Sequence, residues 1–268
     1  MTPDQAKAEA WWRTEIIDMA PGSIRFRGHA IQDLIGTIGF VDMIWLMLRG
    51  TLPTPAQADL LGAALVAGVD HGPQAPSIAI ARMAMTCGVG INSAMASAVN
   101  VLGDIHGGAG EQALAFYLDI LADAAPSIDV AARTAVTQAL AAGGTIGGFG
   151  HRFHPIDPRA PRLLALVDAA VVAGTVEGRL ACAARAVETA LTEAKGRRIP
   201  MNIDGATAVI FGELGFPPPL CRGLFILSRS VGVLAHAYEQ SQQGGRNKGP
   251  LPKGWRWQYD GVSAVESE

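Results

Sequence analysis

Apolar residues recur at spacings of three and four along most of this chain, in segments cut short by glycine and proline. That rhythm is the tightest constraint on what it can fold into. In the segment 31–49, Leu34, Ile38, Val41, Ile44, Trp45 and Leu48 fall at helical spacing. Gly50-Thr51-Leu52-Pro53 stops it. Thr54-Pro55 opens the next helix, with Thr54 as N-cap and Pro55 in the first turn, running to about Val69. Further helices are expected over 3–12, 77–101 (interrupted near Gly88-Val89-Gly90), 111–125, 128–142, 161–173, 178–195, 203–214 and 221–243. Only Ser23 to His29 alternates as a short strand or extended segment would, and 244–261 reads as an extended tail. About ten helices and almost no strand predict an all-α fold. Abundant alanine and glycine with only 6% aromatics suit closely packed helices rather than a β-sandwich.

The remaining composition excludes more than it identifies. At 268 residues the chain can bury one large core or divide into two domains. With 49% hydrophobic residues, 17% charged and a net charge of −3 it reads as globular, and no basic tract suggests nucleic acid. Cys87, Cys182 and Cys221 are far apart, odd in number and set among apolar neighbours, as reduced core thiols would be. The first twelve residues have no basic stretch leading into an apolar one, so no signal peptide is expected. No membrane segment of about 18 uncharged apolar residues is expected either, and the location expected is cytoplasmic.

Chemistry concentrates in 147–159, Gly147-Gly148-Phe149-Gly150-His151-Arg152-Phe153-His154-Pro155-Ile156-Asp157-Pro158-Arg159. Glycines let a ligand approach the main chain, and the prolines limit any helix, so a ligand-facing loop carrying imidazole and guanidinium groups is expected. The plainer alternative is a solvated connection. Elsewhere His71, His106 and Asp204 interrupt apolar tracts at turns, and Arg229 sits inside the last helix. Arg229 cannot lose its charge and needs an anion, either a ligand or a structural carboxylate. His106, just before a helix, would feel the positive end of its dipole, which favours the neutral ring; it could equally cap a turn. Asp204 before a helix could be no more than an N-cap. His71 could be a hydrogen-bonded turn residue, and His29 and His236 read as structural. His151 and His154 have no third ligand nearby, so no metal is expected. No strand precedes the glycine runs as a dinucleotide fingerprint requires, and there is neither a Walker lysine nor a Gly-x-Ser-x-Gly elbow.

Taken in order, several stretches resemble the citrate synthase superfamily. They are Arg25-Phe26-Arg27-Gly28-His29, Leu48-Arg49-Gly50-Thr51-Leu52-Pro53, His106-Gly107-Gly108, Gly150-His151-Arg152, Asp157-Pro158-Arg159, Asn202-Ile203-Asp204, Arg229-Ser230-Val231-Gly232 and Ala235-His236. Within it, Asp70-His71-Gly72-Pro73, Asn202-Ile203-Asp204-Gly205 and Gly232-Val233-Leu234-Ala235-His236 look most like the citryl-CoA lyase module, as in the C-terminal part of ATP-citrate lyase. The tail Gly244-Gly245-Arg246-Asn247-Lys248-Gly249-Pro250 lacks the Arg-Pro motif by which citrate synthases give an arginine to the neighbouring subunit.

The resemblance implies a large helical domain, 1–155 with 225–268, and a small one, 156–224, in at least a homodimer. It implies cleavage of citryl-CoA to acetyl-CoA and oxaloacetate through an enolate, or the reverse condensation by a citrate or 2-methylcitrate synthase. A related 3-hydroxy-3-carboxyacyl-CoA is a further candidate substrate. His106 would hold the thioester oxygen, Asp204 would serve the methyl carbon, and His151 would handle the proton on the hydroxyl or ketone oxygen. His71, Arg159 and Arg229 would hold carboxylates. Gly148, Gly150 and Arg152 would lie along CoA, with Arg162, Arg197 and Arg198 as further phosphate contacts. CoA enters as the thioester substrate, with no covalent cofactor. A non-catalytic CoA-binding subunit of the same fold is the alternative of a different class.

Overall fold

A computed structural model describes residues 2–252 and 254–262. Among these residues twelve helices and one small sheet are present, so the all-α expectation holds. The chain begins with α1 (Pro3–Trp11) and a three-stranded antiparallel meander, β1 (Ile17–Ala20), β2 (Ser23–Phe26) and β3 (His29–Ala30). Its register sets Ile17 opposite Phe26 and Arg25 opposite Ala30. There follow α2 (Ile31–Leu34), α3 (Phe40–Arg49), α4 (Pro55–Gly68), α5 (Pro76–Thr86) and α6 (Ile91–Asn100). The second half holds α7 (Ala109–Ala122), α8 (Ile128–Ala141), α9 (Arg159–Val172), α10 (Arg179–Lys195), α11 (Ile203–Glu213) and α12 (Pro218–Gln243).

Local chemistry accounts for most boundaries. Thr54 Oγ1 accepts from the Gln57 amide at 3.3 Å while Gln57 Oε1 accepts from the Thr54 amide at 2.9 Å, the reciprocal box that starts α4. The helix expected over 31–49 is two helices. Gly36 sits at φ +80°, and Thr37 Oγ1 donates back to the Leu34 carbonyl at 3.0 Å, so the main chain is drawn out of the helical ladder. β1 lies outside the expected extended segment because all four of its residues are exposed and no buried alternation marks it.

The chain packs as two compact units. The first runs to Val69 and resumes over Gly107–Ser228. At its centre is α11, where every residue from Gly205 to Phe211 is buried, against α7, α9, α4 and α10. A helix apolar all round belongs in a core, and burying side chains such as Val209, Ile210 and Phe211 stabilises by about 1.5–3 kcal/mol each. The Glu213 carboxylate at the end of α11 accepts from the Gly178, Leu180 and Ala181 amides at 2.8, 2.7 and 3.3 Å, capping α10 where Gly178 offers no side chain.

The second unit joins Asp70–His106 to the chain from Arg229 onward. Its core is Ala75, Ile78, Ala81, Ala94, Ala98, Val233 and Ala237, mostly alanine, which lets α5, α6 and the second half of α12 approach closely. The tail is tied here: the Asn247 amide donates to the Thr86 carbonyl at 2.7 Å and the Lys248 amide to Thr86 Oγ1 at 3.0 Å.

One expectation needs correction, and one element calls for comment. Cys221 is a core thiol, but Cys87 and Cys182 are exposed: Cys87 lies just past the end of α5, and Cys182 faces away from its buried neighbours Ala181 and Ala183 on α10. α12 is long and apolar enough to cross a membrane by length and composition. A core helix passes the same test, and Cys221, Leu224, Ser228, Arg229, Val233 and Ala237 on it are buried.

Candidate functional site

In the first unit the glycine loop is zipped to the approach to α11. The Asn202 amide donates to the Gly148 carbonyl at 2.9 Å, the Gly150 amide to the Pro200 carbonyl at 2.7 Å, and Asn202 Nδ2 to the Gly150 carbonyl at 2.7 Å. Phe149 and Met201 pair as an antiparallel bridge. This crossing requires glycine on both sides. Gly148 has φ +87°, and a Cβ there would stand 2.8 Å from the Gly205 Cα; a Cβ on Gly205 would overlap the Gly148 carbonyl oxygen. His151 and Asp204 are thereby carried on two strands of chain that are bonded to each other.

Asn202, not Asp204, is the N-cap of α11. Its Oδ1 accepts from the Asp204 amide at 2.9 Å and the Gly205 amide at 3.3 Å. Asp204 is therefore the second residue of the helix, with a carboxylate that capping does not require. Beneath it lie the buried Tyr117 phenol and Cys221 thiol. Burial pushes the pKa of both up, and the Asp204 carboxylate adds to each shift.

Asp157, absent from the expected site, joins α9 to α11. It is buried, and its Oδ1 accepts from the Arg159 amide at 3.1 Å and Nε at 2.9 Å. Oδ2 accepts from Arg159 Nη2 at 2.9 Å and from the Ile203 amide at 3.0 Å. Burial alone would raise its pKa, but the Arg159 bonds outweigh that and hold it at about 2. Arg159 is thus clamped by two edges of its guanidinium, with Nη1 reaching the Ala67 carbonyl at 3.5 Å.

At His151, Nδ1 accepts from the Phe153 amide at 3.1 Å and the His154 amide at 3.0 Å. An amide only donates, so Nδ1 carries the lone pair and the proton of the neutral ring sits on Nε2. Burial lowers its pKa; Asp157 opposes that, while His154 and Arg159 add to it. The His154 ring lies alongside, centroids 4.7 Å apart. Gly148 and Gly150 are in the loop as expected, their polar groups taken up by the zipper, and Arg152 is exposed beside them.

The second unit holds His71, His106 and Arg229. The start of α5 leaves amides without helical partners, Ala75 offers no side-chain cap, and Pro76 has no N–H. His106 supplies the acceptor: its Nε2 lies 3.1 Å from the Ser77 amide and 3.0 Å from Ser77 Oγ. The amide bond again fixes the tautomer, now with the proton on Nδ1. The dipole that favours the neutral ring is therefore that of α5, not that of the helix following His106. Burial lowers the His106 pKa, and the Arg229 guanidinium lowers it further. Arg229 is only 5% exposed, as its apolar surroundings in sequence implied. His71 is exposed, in the turn after α4.

The expected residues thus form two sets: His151, Arg159 and Asp204 around Asp157 and the start of α11, and His71, His106 and Arg229 around the start of α5. Asp157 and Asn202 stood in the motifs that carried the resemblance, but nothing in sequence marked what they bond. Ser77 had no signal beyond following the Pro of a helix start. Among the described residues no group of His, Cys, Asp and Glu could hold a metal ion.

The chain is similar to known proteins over most of its length. The family model for the citrate synthase C-terminal domain matches residues 54–250. Citrate synthase from Haloferax volcanii is 30% identical over 196 residues, 72% of this chain and 49% of that protein. The chain spans about half the length of the curated relatives it matches. The structure of citryl-CoA lyase from Hydrogenobacter thermophilus superposes with a TM-score of 0.85 at 31% identity, covering 96% of this chain and 97% of that one. ATP citrate lyase from Methanosaeta concilii, solved with (3S)-citryl-CoA, shares the fold at 21% identity and a TM-score of 0.78, over 97% of this chain and 45% of that one. With most of its length matched by the family model and by an enzyme of that name, this chain belongs to the citrate synthase family.

Proposed function

We propose that this protein is a citryl-CoA lyase, cleaving citryl-CoA to acetyl-CoA and oxaloacetate. The observation that carries the reading is its likeness to a citryl-CoA lyase, at 31% identity and a TM-score of 0.85 over 96% of this chain. Cleavage sends the electron pair of the carbon–carbon bond to the acetyl fragment as an enolate, while the hydroxyl loses its proton and becomes the oxaloacetate ketone. His106, neutral with its proton on Nδ1, donates to the thioester oxygen as charge develops there. Asp204 in its acid form returns a proton to the enolate carbon. Two amides occupy His151 Nδ1 and the proton of the neutral ring is on Nε2, so His151 donates a hydrogen bond to the hydroxyl oxygen, and the proton that oxygen loses passes to solvent water. His71, Arg229 and the clamped Arg159 hold the carboxylates, and Gly148, Gly150 and Arg152 lie along CoA. No water is consumed, which separates the lyase from a synthase.

The 30% identity to the Haloferax volcanii citrate synthase favours a second reading, condensation with thioester hydrolysis. Purified protein given citryl-CoA should release acetyl-CoA and oxaloacetate, and an Asp204→Asn variant should bind CoA without turnover. Free citrate formed from oxaloacetate with acetyl-CoA, or free 2-methylcitrate formed with propionyl-CoA, would overturn the lyase reading. The same proposal includes a homodimer and a small domain, 156–224, that moves against the rest of its subunit on binding.

A further inference from the structure

The second unit contains a chain of polar side chains that ends beside His71. Arg82 on α5 donates through Nη1 to Glu239 and through Nη2 to Gln243 Oε1 at 2.7 Å, so two residues of α12 fix its guanidinium. The same Nη1 lies 3.0 Å from His236 Nδ1. Arginine only donates, so His236 Nδ1 is the acceptor and the proton of the neutral ring is on Nε2. That nitrogen faces Asp70 Oδ1 at 3.3 Å. Oδ1 is sealed from solvent and accepts no hydrogen bond of good geometry, so the His236 contact at 3.3 Å is a close polar approach that gives this buried oxygen a neighbouring donor. The other oxygen, Oδ2, accepts from the Gly72 amide at 3.0 Å, across a turn in which Gly72 takes φ +81°.

Asp70 therefore has one oxygen on α12 and the other on the backbone just past His71. We propose that His236 is a positioning residue: by holding Asp70, it sets the direction from which the exposed His71 side chain meets a carboxylate of the substrate. This rests on the carboxylate-binding role given to His71 above. The turn has φ/ψ values that a free Asp-His-Gly-Pro segment would sample among many others. Anchoring Asp70 to a helix removes that freedom before the ligand arrives.

Two substitutions separate positioning from bulk structure. His236→Gln places an amide N–H near the position of Nε2 and keeps the donor to Asp70. His236→Asn places its amide near Nδ1, where it can still meet Arg82 but cannot reach Asp70. Calorimetric titration of each folded variant with oxaloacetate, and separately with CoA, gives the readout. The Asn variant should bind oxaloacetate about tenfold more weakly, the Gln variant within about threefold of the parent, and both should bind CoA within about twofold. Equal weakening in both variants, no weakening in the Asn variant, or a matching loss of CoA affinity overturns the proposal. Amide exchange at Gly72 in the ligand-free protein reads the same brace without substrate: it should accelerate in the Asn variant and not in the Gln variant, and equal rates overturn the brace. Failure of the parent protein to bind oxaloacetate overturns the function assigned above, and the Gly72 comparison then decides the brace alone.

Discussion

A peptide N–H can give a hydrogen bond but never take one, and at His106 and His151 that asymmetry does the electronic work. The Ser77 amide makes His106 Nε2 the acceptor, and the Phe153 and His154 amides do the same to His151 Nδ1. Each ring is left neutral with its proton on the opposite nitrogen. Protonating His106 would set an N–H against the Ser77 N–H, beside the buried Arg229 cation. Burial, and after it the Arg229 cation, hold its pKa below the usual histidine value near 6.5. The linkage has a definite sign. Unfolded chain takes up this proton near pH ~6.5 and the folded protein only at lower pH, so His106 adds nothing above that value and destabilises as pH falls below it. Nitrogen-15 spectra of the imidazoles should show a protonated Nδ1 on His106 that persists below pH ~6.5, and a protonated Nε2 on neutral His151. Ser77→Ala removes the hydroxyl but keeps the amide, so the His106 tautomer should survive it; a switch to Nε2–H would contradict the assignment. Both histidines stood out in sequence as candidate site residues. Their tautomers were not, because His106 is set by a residue 29 positions away.

At the scale of elements, the start of α11 is where three segments are fastened. Asn202 ties it to the glycine loop, and Asp157 ties it to the start of α9. Asp157 has a pKa of about 2 in the fold and about 3.9 unfolded. That difference is worth about 2 kcal/mol above pH ~4, and it is lost progressively as pH falls toward ~2. Asp157→Asn presents an amide N–H₂ to the Arg159 donors, and it should cost about 2–4 kcal/mol at neutral pH. Urea unfolding at several pH values checks both points: the variant should be less stable at pH 7 and should lose part of the parent's slope between pH 4 and pH 2. A parallel slope in the two proteins would mean that Asp157 titrates normally. Helix existence was legible from the apolar period almost throughout, and the Thr54-Pro55 start of α4 was read to the residue. The break at 35–39 was not, because the apolar spacing runs on through it and only the left-handed Gly36 and the Thr37 back-bond interrupt it. The cap of α11 was read at Asp204 and lies at Asn202 for a related reason: both are good capping residues, and only the bonds made by Asn202 decide between them.

For the whole molecule, the face that α12 leaves exposed bears on how many copies work together. Leu227, Val231, Leu234 and Tyr238 are 47%, 59%, 45% and 58% exposed, and they fall four, three and four residues apart. That spacing puts them in one stripe, the pattern by which a helix meets another helix. Scattered apolar residues on a surface need no explanation, but an aligned row on the longest helix does. A second copy of the chain pairing α12 against α12 about a twofold axis would bury the row on both sides at once, as a self-complementary patch does. A stable pairing covers about 800 Å² on each partner, so the row would form its centre and not its full extent. Sedimentation equilibrium of the parent protein should give twice the mass of one chain. Val231→Asp combined with Leu234→Asp places four like charges in the middle of the pairing, and should give a single-chain mass with helical circular dichroism unchanged. A parent protein that sediments as one chain would exclude the dimer, and a doubly substituted protein that stays paired would move the interface off α12. Because both substituted side chains point away from the alanine-rich core of the second unit, a loss of helical signal is not expected on packing grounds.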